Sequence, residues 1–150
     1  MSHATLVSFG IEVACSRLVH EHLPTDITIG RYRWAIAEGF IPGWSHGPEP
    51  ALASHETVCL LNAGDRDAHV RLTVYFSDRD PAGPYCMTVP GHRTFHVRLN
   101  ELHDPESLPV ETPFASVIES DQPIVVQHTR LDSRQSENAL MSTIAFPGDR

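Results

Sequence analysis

The run Ala68-His-Val-Arg-Leu-Thr-Val-Tyr-Phe-Ser77 decides the fold class. Successive side chains point to opposite faces of a strand, so Val70, Leu72, Val74 and Phe76 share one face while Arg71, Thr73 and Tyr75 share the other. Apolar-in, polar-out alternation marks a half-buried antiparallel strand. On its N-terminal side, Asn62-Ala-Gly-Asp65 supplies residues that tolerate left-handed backbone and reads as a turn, preceded by a strand from His55 to Leu61. On its C-terminal side, Tyr85 to Val89 and Thr94 to Leu99 read as strands joined by Pro90, Gly91 and His92. Further out, Arg33 to Glu38 is the first strand, and Gly39 to Pro50 is a loop too rich in breakers for regular structure. Phe114 to Glu119, a turn at Ser120 to Gln122 and a strand opening at Pro123 are expected to form a hairpin, since a strand start tolerates a missing N–H. Asp132 with Gln135 resembles a capping box opening one helical turn, and Leu140 to Phe146 closes the series. Short strands at short intervals predict an all-β fold, an antiparallel β-sandwich, jelly-roll-like, of about eight strands over residues 29–150. Residues 1–28 show no sustained period and are expected to form an N-terminal extension, weakly structured or helical over Thr5 to Val19.

At 150 residues and 16.6 kDa the chain is long enough for one domain with a real core. With 41% hydrophobic and 20% charged residues, its composition is that of a folding chain rather than a disordered one. No apolar run approaches the roughly 18–20 residues of a membrane span. Ile11 to Val19, interrupted by Glu12, Cys15, Ser16 and Arg17, is a poor signal-peptide core, so a cytoplasmic setting is expected. Cys15, Cys59 and Cys86 have no CxxC spacing and point to reduced thiols, with neither a metal site nor a disulfide scaffold expected. The net charge of −8 disfavours nucleic acid as a partner, because phosphate contacts need clustered cations. All 11 basic residues are arginine, which reflects either a GC-rich genome or a need for planar, bidentate recognition. The 10 histidines make some pH sensitivity an expectation.

The stretch Pro123-Ile-Val-Val-Gln-His-Thr-Arg-Leu-Asp-Ser-Arg134 passes from core strand to dense polar chemistry without a break. Ile124, Val126, His128 and Arg130 share one face; Val125, Gln127, Thr129 and Leu131 share the other. The polar end, from His128 to Arg134, is where a site is expected.

These polar strand ends resemble the Anabaena-type sensory rhodopsin transducer family. The resemblance rests on Arg33-Trp-Ala-Ile-Ala-Glu-Gly-Phe-Ile-Pro42, Gly47-Pro-Glu-Pro50, Ser54-His-Glu-Thr-Val-Cys-Leu-Leu-Asn-Ala-Gly64, Gly83-Pro-Tyr85, Asp104-Pro105, and Pro123 to Gln135 with Glu137-Asn-Ala139. Together these cover about Ile29 to Phe146. The resemblance implies a β-sandwich, a homotetramer, and a superfamily thought to bind small polar molecules, sugars above all. For some members it also implies contact with the cytoplasmic face of a membrane photoreceptor, a microbial rhodopsin. Residues 1–28 depart from the family pattern.

Trp34 and Glu38 suit a sugar site, where an aromatic face packs on the apolar side of a pyranose and a carboxylate accepts from its hydroxyls. The same residues read equally as a core tryptophan with a rim carboxylate. Trp44 is a second aromatic candidate or a loop anchor. His55 and Glu56 are adjacent on a strand, so at most one faces a given site. His96 with Arg98, and His128 with Arg130, each share a face; if their strands are neighbours, the four make a cationic patch for a carboxylate, phosphate or acidic sugar. A polar subunit interface in which Arg130 pairs with Asp132 or Glu56, or a solvated sheet face, remain open alternatives. Enzyme chemistry is not expected. There is no G-x-S-x-G, no G-x-G-x-x-G and no HxH-plus-Glu metal pattern, and His96 and His128 would be the general bases. The leading reading is a non-enzymatic, cofactor-free module that binds a small polar, sugar-like ligand in signal transduction; the alternative is an adaptor that docks on a sensory rhodopsin.

Overall fold

The computed structural model describes residues 28–148, so the helix considered over Thr5 to Val19 lies outside the described residues. The chain runs through β1 (Arg31–Phe40), β2 (His55–Asn62), β3 (Ala68–Tyr75), β4 (Ala82–Val89), β5 (Arg93–Arg98), β6 (Pro113–Asp132), β7 (Ala139–Ile144) and β8 (Phe146–Pro147), with one 3-10 turn at Leu99–Glu101. All pairings are antiparallel. One layer has the order β4-β3-β6-β1-β8 and the other β5-β2-β6-β7, and the sheet does not close into a barrel. The expected all-β architecture of eight antiparallel strands is present.

The two layers share β6, a 20-residue strand. Its first half, through Ser120, lies between β1 and β3; its second half, from Val125, lies between β2 and β7. This corrects the expected hairpin, because Ser120-Asp121-Gln122 does not turn. Phe114, Ser116, Ile118, Ile124, Val126 and His128 are all buried, so the inward parity runs unbroken through the tripeptide. Cross-strand pairing on both flanks overrides the local turn preference of these residues. Asp121 instead takes the backbone N–H of His69 at 2.8 Å and anchors the start of β3.

Inner faces of both layers meet in one hydrophobic cluster. Val70, Leu72, Val74 and Ile118 come from one layer, Val58, Leu60, Val97 and Val126 from the other, with Trp34 and Tyr85 as its largest members. Each such aliphatic side chain contributes about 1.5–3 kcal/mol on burial. The last expected strand divides in two. Ala145 turns inward and gives its N–H to Val126 at 3.0 Å, after which the chain leaves β6 and pairs with β1. The helical turn expected at Asp132 does not form either. The Asp132 carboxylate accepts the N–H of Arg134, two residues on, in place of an N-cap bond three residues on.

Candidate functional site

The polar end of β6 meets β2 and the end of β1. Glu56 lies opposite Arg130, and Val58 opposite His128, so the carboxylate, imidazole and guanidinium converge on the inner face. Glu56 is fully buried and His128 nearly so. One Glu56 oxygen accepts the Phe40 backbone N–H at 2.6 Å and Arg130 Nε at 2.7 Å. The other engages His128 Nε2. Asn100 accepts the Glu56 N–H at 3.1 Å and donates to the Ser54 carbonyl at 3.2 Å, which fixes the start of β2.

Arg130 links this buried carboxylate to the surface, its Nη2 reaching Glu38 at 2.8 Å. Glu38 is exposed because the register shifts between Ile36 and Gly39, and that bulge breaks the alternation shared by Trp34 and Ile36. Gly39 is required there, since a Cβ would lie 2.2 Å from the Phe114 ring. Burial opposes the charge of Arg130, but hydrogen bonds to Glu38 and Glu56 outweigh it and hold the guanidinium above its ordinary value. Phe40 caps the cluster, with the guanidinium carbons of Arg130 and Arg134 at 5.9 and 5.3 Å from its ring centre. Asp132 pairs with Arg134 at 2.7 Å, and the hydrogen bond from Arg134 holds its carboxyl below the usual range.

The nine candidate residues thus divide into three places. Glu38, Glu56, His128 and Arg130 come together, with Asp132 one step away across Phe40. Trp34 is in the core, 6% exposed, and its indole N–H donates to Ile124 O at 2.9 Å and Arg31 O at 3.1 Å. His55, His96 and Arg98 lie on the opposite, outer face of the β5-β2-β6 layer, where Thr57 faces both Arg98 and Thr129. The four-residue cationic patch does not form, because β2 separates β5 from β6.

On that outer face His55, Thr57, Cys59, His96, Arg98, Glu101 and Thr129 line a concavity of about 440 Å³. Burial pushes the Cys59 thiol up, an effect partly offset by its hydrogen bond with Thr129. Thr57, Thr129, Phe40 and Asn100 escaped the sequence reading. Parity alone could have placed the first two, since an inward Glu56 forces Thr57 outward and an inward His128 does the same for Thr129. Among the described residues, no three His, Cys, Asp or Glu side chains are grouped as metal ligands, and no helix is long and apolar enough to cross a membrane.

The family model described as Anabaena sensory rhodopsin transducer matches residues 29–147. The chain belongs to that family. Among solved structures it is similar to one described as Anabaena sensory rhodopsin transducer, at 61% identity and a TM-score of 0.61, covering 69% of this chain and all of that one. It is also similar to Thermotoga maritima 1070, at 32% identity and a TM-score of 0.71, covering 79% of this chain and 95% of that one. No curated protein matches. Glu56, His128 and Arg130 of the cluster, and Glu38 at its surface end, fall within the span that the family model matches.

Proposed function

We propose that this family member is a non-enzymatic transducer that works in the cytoplasm as a homotetramer and docks on a membrane photoreceptor of the sensory rhodopsin type. The observation that carries the reading is that the most chemically loaded side chains are engaged with one another. Trp34 has both its face and its N–H inside the fold, and Glu56 bonds both His128 and Arg130, so that cluster serves as a rigid support and recognition falls to the surface. Two surface features support the reading. The edge strands β7 and β8 expose Leu140, Ile144 and Phe146, large apolar side chains suited to contact between copies of the chain. The net charge of −8 is complementary to the cytoplasmic loops of membrane proteins, which carry an excess of Lys and Arg. The test is retention of the purified protein on photoreceptor-containing nanodiscs. Retention that weakens from low to physiological salt supports the reading, and passage at the same volume as through empty nanodiscs removes it.

A second reading, binding of a small polar ligand, is favoured by one observation: the concavity of the β5-β2-β6 layer is walled by imidazole, hydroxyl and guanidinium groups rather than by the aromatic faces of a typical sugar site.

A further inference from the structure

We propose that the outer face of the β5-β2-β6 layer is an oxyanion site, taking the phosphate or carboxylate group of a small hydroxylated molecule. The inference rests on the small-ligand reading above and names its chemistry. Arg98, Thr57 and Thr129 lie directly opposite one another on three adjacent strands, so one rung of the sheet presents a guanidinium followed by two hydroxyls; Ser142, next along the rung, already accepts from Gln127 Nε2 at 2.6 Å. His96, opposite Cys59, stands on the next rung to one side, and His55 flanks the rung on the other.

Thr57, only 6% exposed, forms the floor. His55 is held in place by a 2.7 Å bond between its Nδ1 and the Ala53 carbonyl. Arg98 is held less tightly than the arginines of the buried cluster. Arg130 and Arg134 are pinned by carboxylates at 2.8 and 2.7 Å, whereas Arg98 stands 4.0 Å from Glu101, beyond hydrogen-bond reach. Its planar fork is therefore available to a bidentate acceptor, the geometry in which guanidinium recognises carboxylate and phosphate.

Glu101 sits at the rim, 71% exposed. It repels a second acid group and accepts hydrogen bonds from hydroxyls, so the site selects a molecule with one acid group and a polyol body. A phosphosugar and a sugar acid share this chemistry, and a concavity of about 440 Å³ has room for either.

The experiment is calorimetric titration of the full chain with inorganic phosphate, a hexose 6-phosphate, a hexuronic acid and a neutral hexose. Binding by the phosphosugar, the sugar acid or both, with little or none by the neutral hexose, is the expected result. Whichever acid ligand binds more tightly identifies the source of the oxyanion, and phosphate binding as tightly as the hexose 6-phosphate identifies the free anion. Arg98→Ala should weaken binding about 10- to 100-fold, the factor that loss of a charge-assisted hydrogen bond represents. Thr57→Val, which keeps the shape and removes the hydroxyl, should weaken it by a smaller factor. Arg71→Ala, on the other layer, should leave it unchanged. Because Arg98 is partly exposed and loosely paired, its variant should melt as the parent does without ligand. Neutral hexose binding as well as the acids, or acid binding unmoved by Arg98→Ala and Thr57→Val, overturns the oxyanion inference and leaves the small-ligand reading standing. No binding by any of the four overturns both.

Discussion

Replacing Glu56 by Gln tests whether the buried cluster is what holds β1, β2 and β6 in register. In the parent, one carboxylate oxygen receives the Phe40 N–H at 2.6 Å and Arg130 Nε at 2.7 Å, and the other engages His128 Nε2. An amide has nearly the same shape but only one acceptor oxygen, so its NH2 group must face either the Phe40 and Arg130 donors or the His128 ring. The substitution also removes the charge that offsets Arg130, leaving that guanidinium only the exposed Glu38. Breaking a buried pair by removing one partner costs about 3–5 kcal/mol. For a domain of this size that corresponds to a fall in melting temperature of roughly 10–20 °C. Glu38→Gln removes the other carboxylate of the same arginine, but at 63% exposure it should cost less than about 1 kcal/mol. Urea unfolding followed by far-UV circular dichroism gives both values, and a double-mutant cycle with Arg130→Met isolates the pairwise part. A cost for Glu56→Gln no larger than for Glu38→Gln would refute the assignment of the cluster as structural.

Three further outcomes follow from individual side chains. Trp34→Phe loses the indole N–H that bonds Ile124 O and Arg31 O, leaves a buried carbonyl short of a donor, and should destabilise by about 1–3 kcal/mol, read in the same urea experiment. Cys86 should alkylate faster than Cys59 at pH 8, as peptide mapping by mass spectrometry would report; burial raises the Cys59 thiol, so less of it is thiolate and its rate climbs only at higher pH. The Asp132 carboxyl is depressed by Arg134, so its contribution to stability is present above the ordinary carboxylate titration and lost as pH falls through the depressed folded value. Asp132→Asn should therefore cost more stability at pH 7 than at pH 3, measured by thermal unfolding at the two pH values.

Much of the fold was legible because alternation is local. The period of two in Val70, Leu72 and Val74 survives into the structure as an unbroken buried face, and most strand limits fall within a few residues of those read from pattern and punctuation. What was not legible is what depends on partners distant in sequence. Ser120-Asp121-Gln122 has turn chemistry, yet it is extended because β6 is paired as it crosses from one layer to the other. Whether Glu38 follows Trp34 onto the inner face depends on the bulge before Gly39, where the Phe114 ring leaves no room for a side chain. The candidate residues were mostly polar groups with a structural partner or a solvent face. Which of the two each has is set by strand order, and the sequence carries no direct signal that β2 lies between β5 and β6.

The measurement that bears most directly on the transducer reading is the affinity of the purified protein for a nanodisc-embedded microbial sensory rhodopsin, determined in the dark and under steady illumination. A transducer must bind the two photoreceptor states unequally, because a partner with equal affinity for both shifts neither population. The account predicts saturable binding whose affinity differs between dark and light by about fivefold or more. Equal affinity in both states, or no binding in either, would contradict it.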